Sequence, residues 1–557
     1  MQKSTLVTAL AACIIFSGTA NAEDTGSVET SAPKLVVALS VDQFSANLFA
    51  EYRSSFTGGL KRLANGVVFP SGYQSHAATE TCPGHSTIMT GVHSGRAGII
   101  ANNWIDLSIQ REDKTVYCAE DERVEGTSFG DITAPMQGDY IASAWHLLVP
   151  TLGERLKEQS PGSRNVAVAG KDRAALMMGG KNVDEIYWWK GKGFVTQEGR
   201  KTLPSVAALN AAIGERIDKA RPAYAVPAQC VPHSAKIMHG DGKSVGDYAF
   251  QRPEGGAAIY RGSPDFDASI LAAATAVINE MKLGKGEATD VISVGLSATD
   301  YIGHAFGTEG LEMCIQMAEL DRSLGQFFDI LDGEGIDYVV MLTADHGGLD
   351  LPERMSLQGV PAAQRVEPNL NAKAVGTIVA RELGLPEDQP VLYADGPFGD
   401  YYVSRDLPEE QRKRVKDSAM ALIAAHAQVE AVIDRDDLAA VTVPDGSPES
   451  WTLAERVKAS FHPDRSGDFI VLLKKAVTPI ATTARGYVAT HGSPWDYDRR
   501  VPILFWRSGI QHFEQPMPVM TVDIAPTLGA LIGVDIPADE TDGTCLDIDG
   551  GSANSCE

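Results

Sequence analysis

Lys34–Val41 reads KLVVALSV, and Asp42 follows at once. The run is short, apolar and rich in β-branched residues, without alternating polar positions. That is the pattern of a strand covered on both faces of a parallel sheet. Similar runs recur at Asn165–Ala169, Asp290–Leu296, Asp337–Leu342 and Val501–Phe505. Amphipathic stretches lie between them. From Met313 the apolar residues Met317, Leu320, Leu324, Phe327 and Leu331 step by three or four, and Gly333 and Gly335 end the helix. Strands alternating with helices predict an α/β fold built on a doubly wound, mainly parallel sheet. Two stretches, about 179–283 and 351–485, are too long for simple loops and are expected to form inserted cap or crown segments above that sheet. The first contains Tyr187-Trp188-Trp189, expected to pack in core or rim.

The chain has 557 residues, with 48 Lys and Arg against 73 Asp and Glu, so its formal charge is −25. A nucleic-acid partner would require a basic face, and this balance argues against one. Residues 1–22 carry Lys3, an apolar stretch and Ala20-Asn21-Ala22, the layout of an export leader cleaved after Ala22. Leu10-Ala11-Ala12-Cys13 offers a second reading, a lipoprotein leader with Cys13 as anchor. No later run approaches the about 18 apolar residues that a transmembrane helix needs. The expectation is a periplasmic or secreted protein whose residues 23–557 form one catalytic domain carrying the two insertions. Removing Cys13 with the leader leaves Cys82, Cys118, Cys230, Cys314, Cys545 and Cys556. Disulfides suit an oxidising compartment, and only Cys545 with Cys556 is singled out as a pair, because it closes a short loop.

Ligands in doubly wound sheets collect beyond the carboxyl ends of the strands. Asp42 follows the first strand, Asp345 and His346 follow the Asp337 strand, and Asp300 and His304 follow the Asp290 strand at a spacing that puts both on one helical face. His491 lies just ahead of the Val501 strand. Any one of these residues alone would be read as a turn former or a satisfied polar group. Three Asp and three His together suit a pair of borderline divalent ions, zinc being the natural choice for mixed imidazole and carboxylate ligands. A second signal is Thr79-Glu80-Thr81-Cys82-Pro83-Gly84-His85. Pro83 fits the first turn of a helix, which places Thr81 at the N-terminus, where amides and dipole favour negative charge. A hydroxyl there, beside a divalent cation, is an activated nucleophile. From this segment alone Thr81 could equally be a simple cap, and Thr79 and Ser86 are rival nucleophiles.

These residues carry a resemblance. Asp42, TETCPGH around Thr81, GIIANNW around Asn102, ATDYIGH around Asp300 and His304, TADHGG around Asp345 and His346, and THGSPW around His491 occur in order across nearly the whole mature chain. The combination resembles the alkaline phosphatase superfamily, in particular the exported bacterial alkaline phosphatases of the PhoK and PafA type that use a threonine nucleophile. These are related to the nucleotide pyrophosphatase/phosphodiesterases. The resemblance implies two Zn2+ per subunit, one held by Asp300, His304 and His491 and the other by Asp42, Asp345, His346 and the Thr81 oxygen. It implies phosphorylation of Thr81, a hydrogen bond from Asn102 to a phosphoryl oxygen, and an alkaline optimum. Lys171 and Arg173, in VAVAGKDRAA, match the pair that separates the monoesterase branch from its diesterase relatives.

The expected activity is therefore hydrolysis of small-molecule phosphate monoesters through a phosphothreonine, with a nucleotide phosphodiesterase using the same metals as the alternative. A binding protein that keeps the fold without turnover is the non-enzyme alternative. A sulfatase is disfavoured, because Cys82-Pro83 has the wrong spacing for formylglycine formation and no arginine follows.

Overall fold

The computed structural model describes residues 32–124, 127, 140–240, 242–246, 249–484 and 486–557. The expected leader, with Cys13, lies outside them.

The KLVVALSV run forms the strand Leu35–Val41, with every residue buried. Its alternate side chains serve two cores. Leu35, Val37, Leu39 and Val41 pack toward the helices Asp265–Met281 and Leu311–Gly333. Val36 and Ala38 face Ile88 and Met89 of the helix Thr81–Thr90 and Ile524 and Leu528 of Ile524–Ile532. Burial on both faces is why no polar alternation marks the strand.

Across the central sheet the order is Phe513–Glu514, Val67–Tyr73, Arg500–Arg507, Tyr338–Thr343, Leu35–Val41, Asp290–Leu296, Asn165–Ala169, Glu185–Lys190 and Gly193–Val195, with Val519–Met520 also pairing Val67–Tyr73. The strands from Tyr338–Thr343 to Glu185–Lys190 are mutually parallel. The Val501 run differs from the other expected strands. As part of Arg500–Arg507 it is antiparallel to both neighbours, because the chain enters it from the carboxyl edge after crossing above the sheet. Val67–Tyr73 went unread in the sequence, since Pro70 and Gly72 interrupt the apolar pattern. The sheet accommodates them beside a register shift between Val501 and Ile503.

Within 179–283, Tyr187-Trp188-Trp189 belongs to the sheet strand Glu185–Lys190, and Tyr187 and Trp189 are core residues. Within 351–485 a separate antiparallel sheet runs Leu392–Tyr393, Gly399–Val403, Phe469–Leu473, Val429–Asp434. It is backed by the helices Ala372–Leu383 and Glu409–Ala424. Cys545 pairs with Cys556 as singled out, and Cys82–Cys118 and Cys230–Cys314 are also bonded. No described helix is long and apolar enough to cross a membrane.

Two buried contacts aim elements at the carboxyl edge. Gly84, in the first turn of Thr81–Thr90, lies so close to the Asp345 backbone carbonyl that a Cβ would collide with it. Asp267 takes hydrogen bonds from the backbone N–H groups of Ser297 and Ala298, at 2.8 Å each, and so caps the helix Ala298–Phe306 from a neighbouring element. Burial pushes the Asp267 carboxyl up to about 6.

Gly84→Ala is expected to lower stability by about 2 kcal/mol or more through overpacking, read as a reduced urea midpoint. An unchanged midpoint would mean that helix and strand end can separate freely. For Asp267 the sign follows from proton uptake. With a folded pKa above the unfolded value, the native state holds a proton that the unfolded chain releases between about pH 4 and 6, so this group's contribution falls as pH rises through that window. Relative to wild type, Asp267→Asn should gain roughly 1–3 kcal/mol between pH 4 and pH 7. A pH-independent difference in unfolding free energy would contradict this.

Candidate active site

Four consecutive parallel strands deliver side chains to one edge: Asp345 after Tyr338–Thr343, Asp42 after Leu35–Val41, Asp300 after Asp290–Leu296 and Lys171 after Asn165–Ala169. Thr81 is the first residue of its helix, and Gly84 N–H donates to Glu80 O at 2.9 Å. Pro83 therefore lacks a donor only where none would be used, as the sequence suggested. Asp300 and His304 share the buried face of Ala298–Phe306. His491 enters from the loop ahead of Arg500–Arg507.

The three predicted histidines present one nitrogen inward. His304 Nδ1 donates to Ala489 O at 2.9 Å, His346 Nδ1 to Gly347 O at 2.8 Å, and His491 Nδ1 to Thr79 O at 2.8 Å. A carbonyl can only accept, so each ring keeps its Nε2 lone pair for the cluster. Around Asp300 Oδ1, His304 Nε2 lies at 3.2 Å and His491 Nε2 at 3.4 Å. His346 Nε2 lies 3.5 Å from Asp42 Oδ1 and 3.4 Å from Asp345 Oδ2.

Among the described residues, candidate ligand atoms fall into two groups, each within 4.8 Å: Asp300, His304 and His491, and Asp42, Asp300 and His346. Asp300 thus borders both, whereas the sequence reading placed it with the first alone. Asp345 stays in contact with the second group through His346. The rings of His346 and His491 stack at 3.6 Å, which brings the groups together.

Asp42 Oδ1 and His346 Nε2 are buried without a hydrogen-bond partner. Orphaned acceptors of this kind, on imidazole and carboxylate, fit divalent cations. Burial, then the nearby Asp300 and Asp345 charges, push the Asp42 carboxyl well above its ordinary range. A bound cation would reverse that shift. Burial brings the His346 imidazole down to about 3, leaving it neutral and able to ligate.

Lys171 Nζ lies 2.6 Å from both Asp42 Oδ2 and Asp300 Oδ2. Burial opposes its charge, but these two carboxylates outweigh burial and raise its pKa. Thr81 Oγ1 is fully buried, 3.4 Å from Lys171 Nζ and 3.4 Å from Arg173 Nη2. Asn102 accepts the Cys82 N–H at 2.8 Å through Oδ1, and its own N–H donates to Glu80 Oε2 at 2.6 Å. With Oδ1 engaged, the Nδ2 donor remains for the cavity that Asn102 lines. Burial raises the Glu80 carboxyl to about 7. Of the rival nucleophiles, Thr79 Oγ1 donates to Ser493 O at 2.7 Å and Ser86 Oγ to Pro83 O at 2.7 Å. Both are committed elsewhere.

All the predicted site residues converge here. Sequence reasoning gave no role to Gln43, His85 or Tyr117. Gln43 donates from its backbone N–H to Asp345 Oδ1 at 3.1 Å and from Nε2 to Asp300 Oδ1 at 3.3 Å, with a left-handed φ of 67°. His85 Nδ1 lies 2.8 Å from Thr81 O and 3.2 Å from Asp345 Oδ2. Its i, i+4 spacing from Thr81, like that of Asp300 and His304, was the available signal. The cavity above the cluster measures about 390 Å³, and its outer wall includes Phe398, Tyr402, Ile470 and Leu472 from the 351–485 segment.

The sequence matches the type I phosphodiesterase / nucleotide pyrophosphatase family over residues 36–494. It is 53% identical over 533 residues to alkaline phosphatase PhoK of a Sphingomonas species, covering 95% of this chain and 94% of that one. It is 47% identical over 528 residues to alkaline phosphatase PhoD of Zymomonas mobilis, covering 94% and 90%. The fold matches the crystal structure of alkaline phosphatase PafA with a TM-score of 0.79 at 25% identity, covering 93% of this chain and 99% of that chain. With sequence, fold and clustered carboxylates and histidines in agreement, the chain belongs to the type I phosphodiesterase and nucleotide pyrophosphatase family within the alkaline phosphatase superfamily, and is a hydrolase of phosphate esters.

Proposed function

We propose that this chain is an exported, zinc-dependent alkaline phosphatase that hydrolyses small-molecule phosphate monoesters through a phosphothreonine on Thr81. The observation carrying the proposal is that the buried Thr81 Oγ1 sits at a helix N-terminus within 3.4 Å of both Lys171 Nζ and Arg173 Nη2. Asp300, His304 and His491 would hold one zinc ion, and Asp42, Asp345, His346 and Thr81 the other. Bound there, the two ions would supply Lewis-acid stabilisation of the attacking and leaving oxygens.

The chain's own residues then have distinct tasks. Thr81 Oγ1 loses its hydroxyl proton to solvent and attacks phosphorus in line, forming the Oγ1–P bond as the bond to the alcohol oxygen breaks, and that oxygen takes a proton from water and leaves as the alcohol. Asn102 Nδ2, Lys171 and Arg173 hold the non-bridging oxygens as negative charge spreads over them. Water, entering from the side the alcohol leaves, displaces Thr81 Oγ1, and two inversions retain configuration at phosphorus. His304, His346 and His491 keep fixed tautomers through their Nδ1 hydrogen bonds, so the inward face stays preorganised.

Lys171 and Arg173 favour the monoester reading. A monoester dianion offers three non-bridging oxygens and a diester monoanion two, so an added cationic pair rewards the monoester transition state more. Nucleotide phosphodiesterase activity is the second reading, supported by the matched family's description. Export is supported by the leader pattern at 1–22 and by three disulfides, which require an oxidising compartment. The proposed division keeps 23–557 as one catalytic domain with 351–485 as an insertion; of the expected insertion 179–283, the strand Glu185–Lys190 and the helix Asp265–Met281 belong to the central sheet and its core.

Mass spectrometry after an acidic quench with substrate should find a phosphate adduct on the Thr81 peptide, absent in Thr81→Ala. Chelation should abolish turnover and zinc should restore it. No adduct together with chelator-resistant activity would overturn the mechanism. Comparing p-nitrophenyl phosphate with bis(p-nitrophenyl) phosphate tests the substrate class. Lys171→Ala or Arg173→Ala should each cut monoester kcat/KM by roughly 100-fold or more, with much smaller diester losses. A wild-type preference for the diester, untouched by both substitutions, would favour the second reading.

A further inference from the structure

The phosphate-facing residues are linked by a group of contacts that the proposed reaction leaves unused. Asn103–Ile105 and Thr115–Tyr117 form a two-stranded antiparallel ribbon in which Asn103 pairs with Tyr117. Tyr117 is buried, and its hydroxyl donates to Asp172 Oδ1 at 2.8 Å. With the proton directed at the carboxylate, an oxygen lone pair is available to Arg173, whose Nη1 donates to the Tyr117 hydroxyl at 3.4 Å. The other arm of the same guanidinium, Nη2, reaches Thr81 Oγ1 at 3.4 Å. Asp172 is anchored further by Tyr140, whose hydroxyl donates to Oδ2 at 2.5 Å, and by the Arg173 N–H, which donates to Oδ1 at 2.8 Å.

The ribbon is itself pinned to the nucleophile helix. Cys118, next after Tyr117, is disulfide-bonded to Cys82, next after Thr81. Cys118 N–H donates to Asn102 O at 2.9 Å, and Cys82 N–H to Asn102 Oδ1 at 2.8 Å. Thr81 and Asn102 are thereby one bond or one hydrogen bond from an end of this disulfide, and Arg173 is joined to it through the Tyr117 side chain. A guanidinium on a flexible stem binds a phosphoryl group well only when its fork is aimed in advance. Tyr117 supplies the aim for one arm, and the disulfide keeps Tyr117 at a set distance from Thr81.

We propose that Tyr117, pinned by the Cys82–Cys118 disulfide, is a positioning residue that orients Arg173 toward the phosphoryl oxygens and so sets the preference for monoesters over diesters. The proposal rests on the functional reading of Arg173 given above. It predicts a selective loss rather than a general one, because Tyr117→Phe removes only an oxygen and keeps the ring, which meets Tyr140 edge-on at 5.3 Å.

The test is a double-mutant cycle on the full-length, zinc-replete enzyme, reading kcat/KM for p-nitrophenyl phosphate and bis(p-nitrophenyl) phosphate and inhibition by inorganic phosphate. Tyr117→Phe should lower monoester kcat/KM roughly tenfold, the scale of one hydrogen bond to a charged group. It should weaken phosphate inhibition in parallel and leave diester hydrolysis within about twofold. In an Arg173→Ala background it should add nothing further. Replacing both Cys82 and Cys118 with Ala, which frees the ribbon and leaves Tyr117 in place, should give the same selective loss. Equal losses on both substrates, an unchanged ratio, or full additivity with Arg173→Ala would each overturn the proposal. If Arg173→Ala itself left the ratio unchanged, the functional reading would fall with it. A ratio lowered by Arg173→Ala and untouched by Tyr117→Phe would overturn the role of Tyr117 alone.

Discussion

Asp42, Asp300 and Asp345 are buried side by side at the ends of three adjacent parallel strands, and their mutual repulsion is the constraint around which the edge of the sheet is organised. Removed from water, like charges at this separation are tolerated only if positive charge is placed among them or protons are taken up. The chain answers with Lys171, from the end of the fourth strand, midway between Asp42 and Asp300. It also supplies three imidazole nitrogens whose partner nitrogens are tied to backbone carbonyls. Both devices depend on strand order. Only because Asn165–Ala169 lies next to Asp290–Leu296 does Lys171 reach the cluster.

The same crowding accounts for the placement of Thr81. The helix Thr81–Thr90 approaches Asp345 so closely that Gly84 has no room for a side chain, and this contact sets Thr81 beside the carboxylates. His85, one turn on, touches both Thr81 O and the Asp345 carboxylate. An outer shell adds a second level of control. Asp267 caps the helix bearing Asp300 and His304, and the ribbon ending in Tyr117 braces Arg173. The overall charge of −25 is compatible with an anionic substrate, since local potential in a cleft is governed by the groups lining it and not by the outer surface.

Much of the fold was legible because strands buried on both faces are marked by composition alone. Leu35–Val41, Asn165–Ala169, Asp290–Leu296 and the helix from Leu311 occupy the places their patterns indicate. Val67–Tyr73 was hidden by Pro70 and Gly72, and Tyr187-Trp188-Trp189, read as insertion, turned out to lie in the sheet. The site residues were legible for a related reason. A polar residue directly after a buried strand must emerge at the sheet edge, so Asp42, Asp345 and His346 announced their position without knowledge of any partner.

Sequence by itself thus determined the element types, the edge at which the chemistry gathers and the kinds of ligand atom present, since these follow from side-chain chemistry and neighbours a few residues away. Tertiary structure alone decided that Asp300 borders both ligand groups, that Arg500–Arg507 runs against its neighbours, that Cys82 pairs with Cys118, and that Tyr117 stands behind Arg173. Each of those facts joins segments tens to hundreds of residues apart. Their meeting is set by strand order and by the close packing of helices against the sheet, quantities that no local pattern of residues encodes.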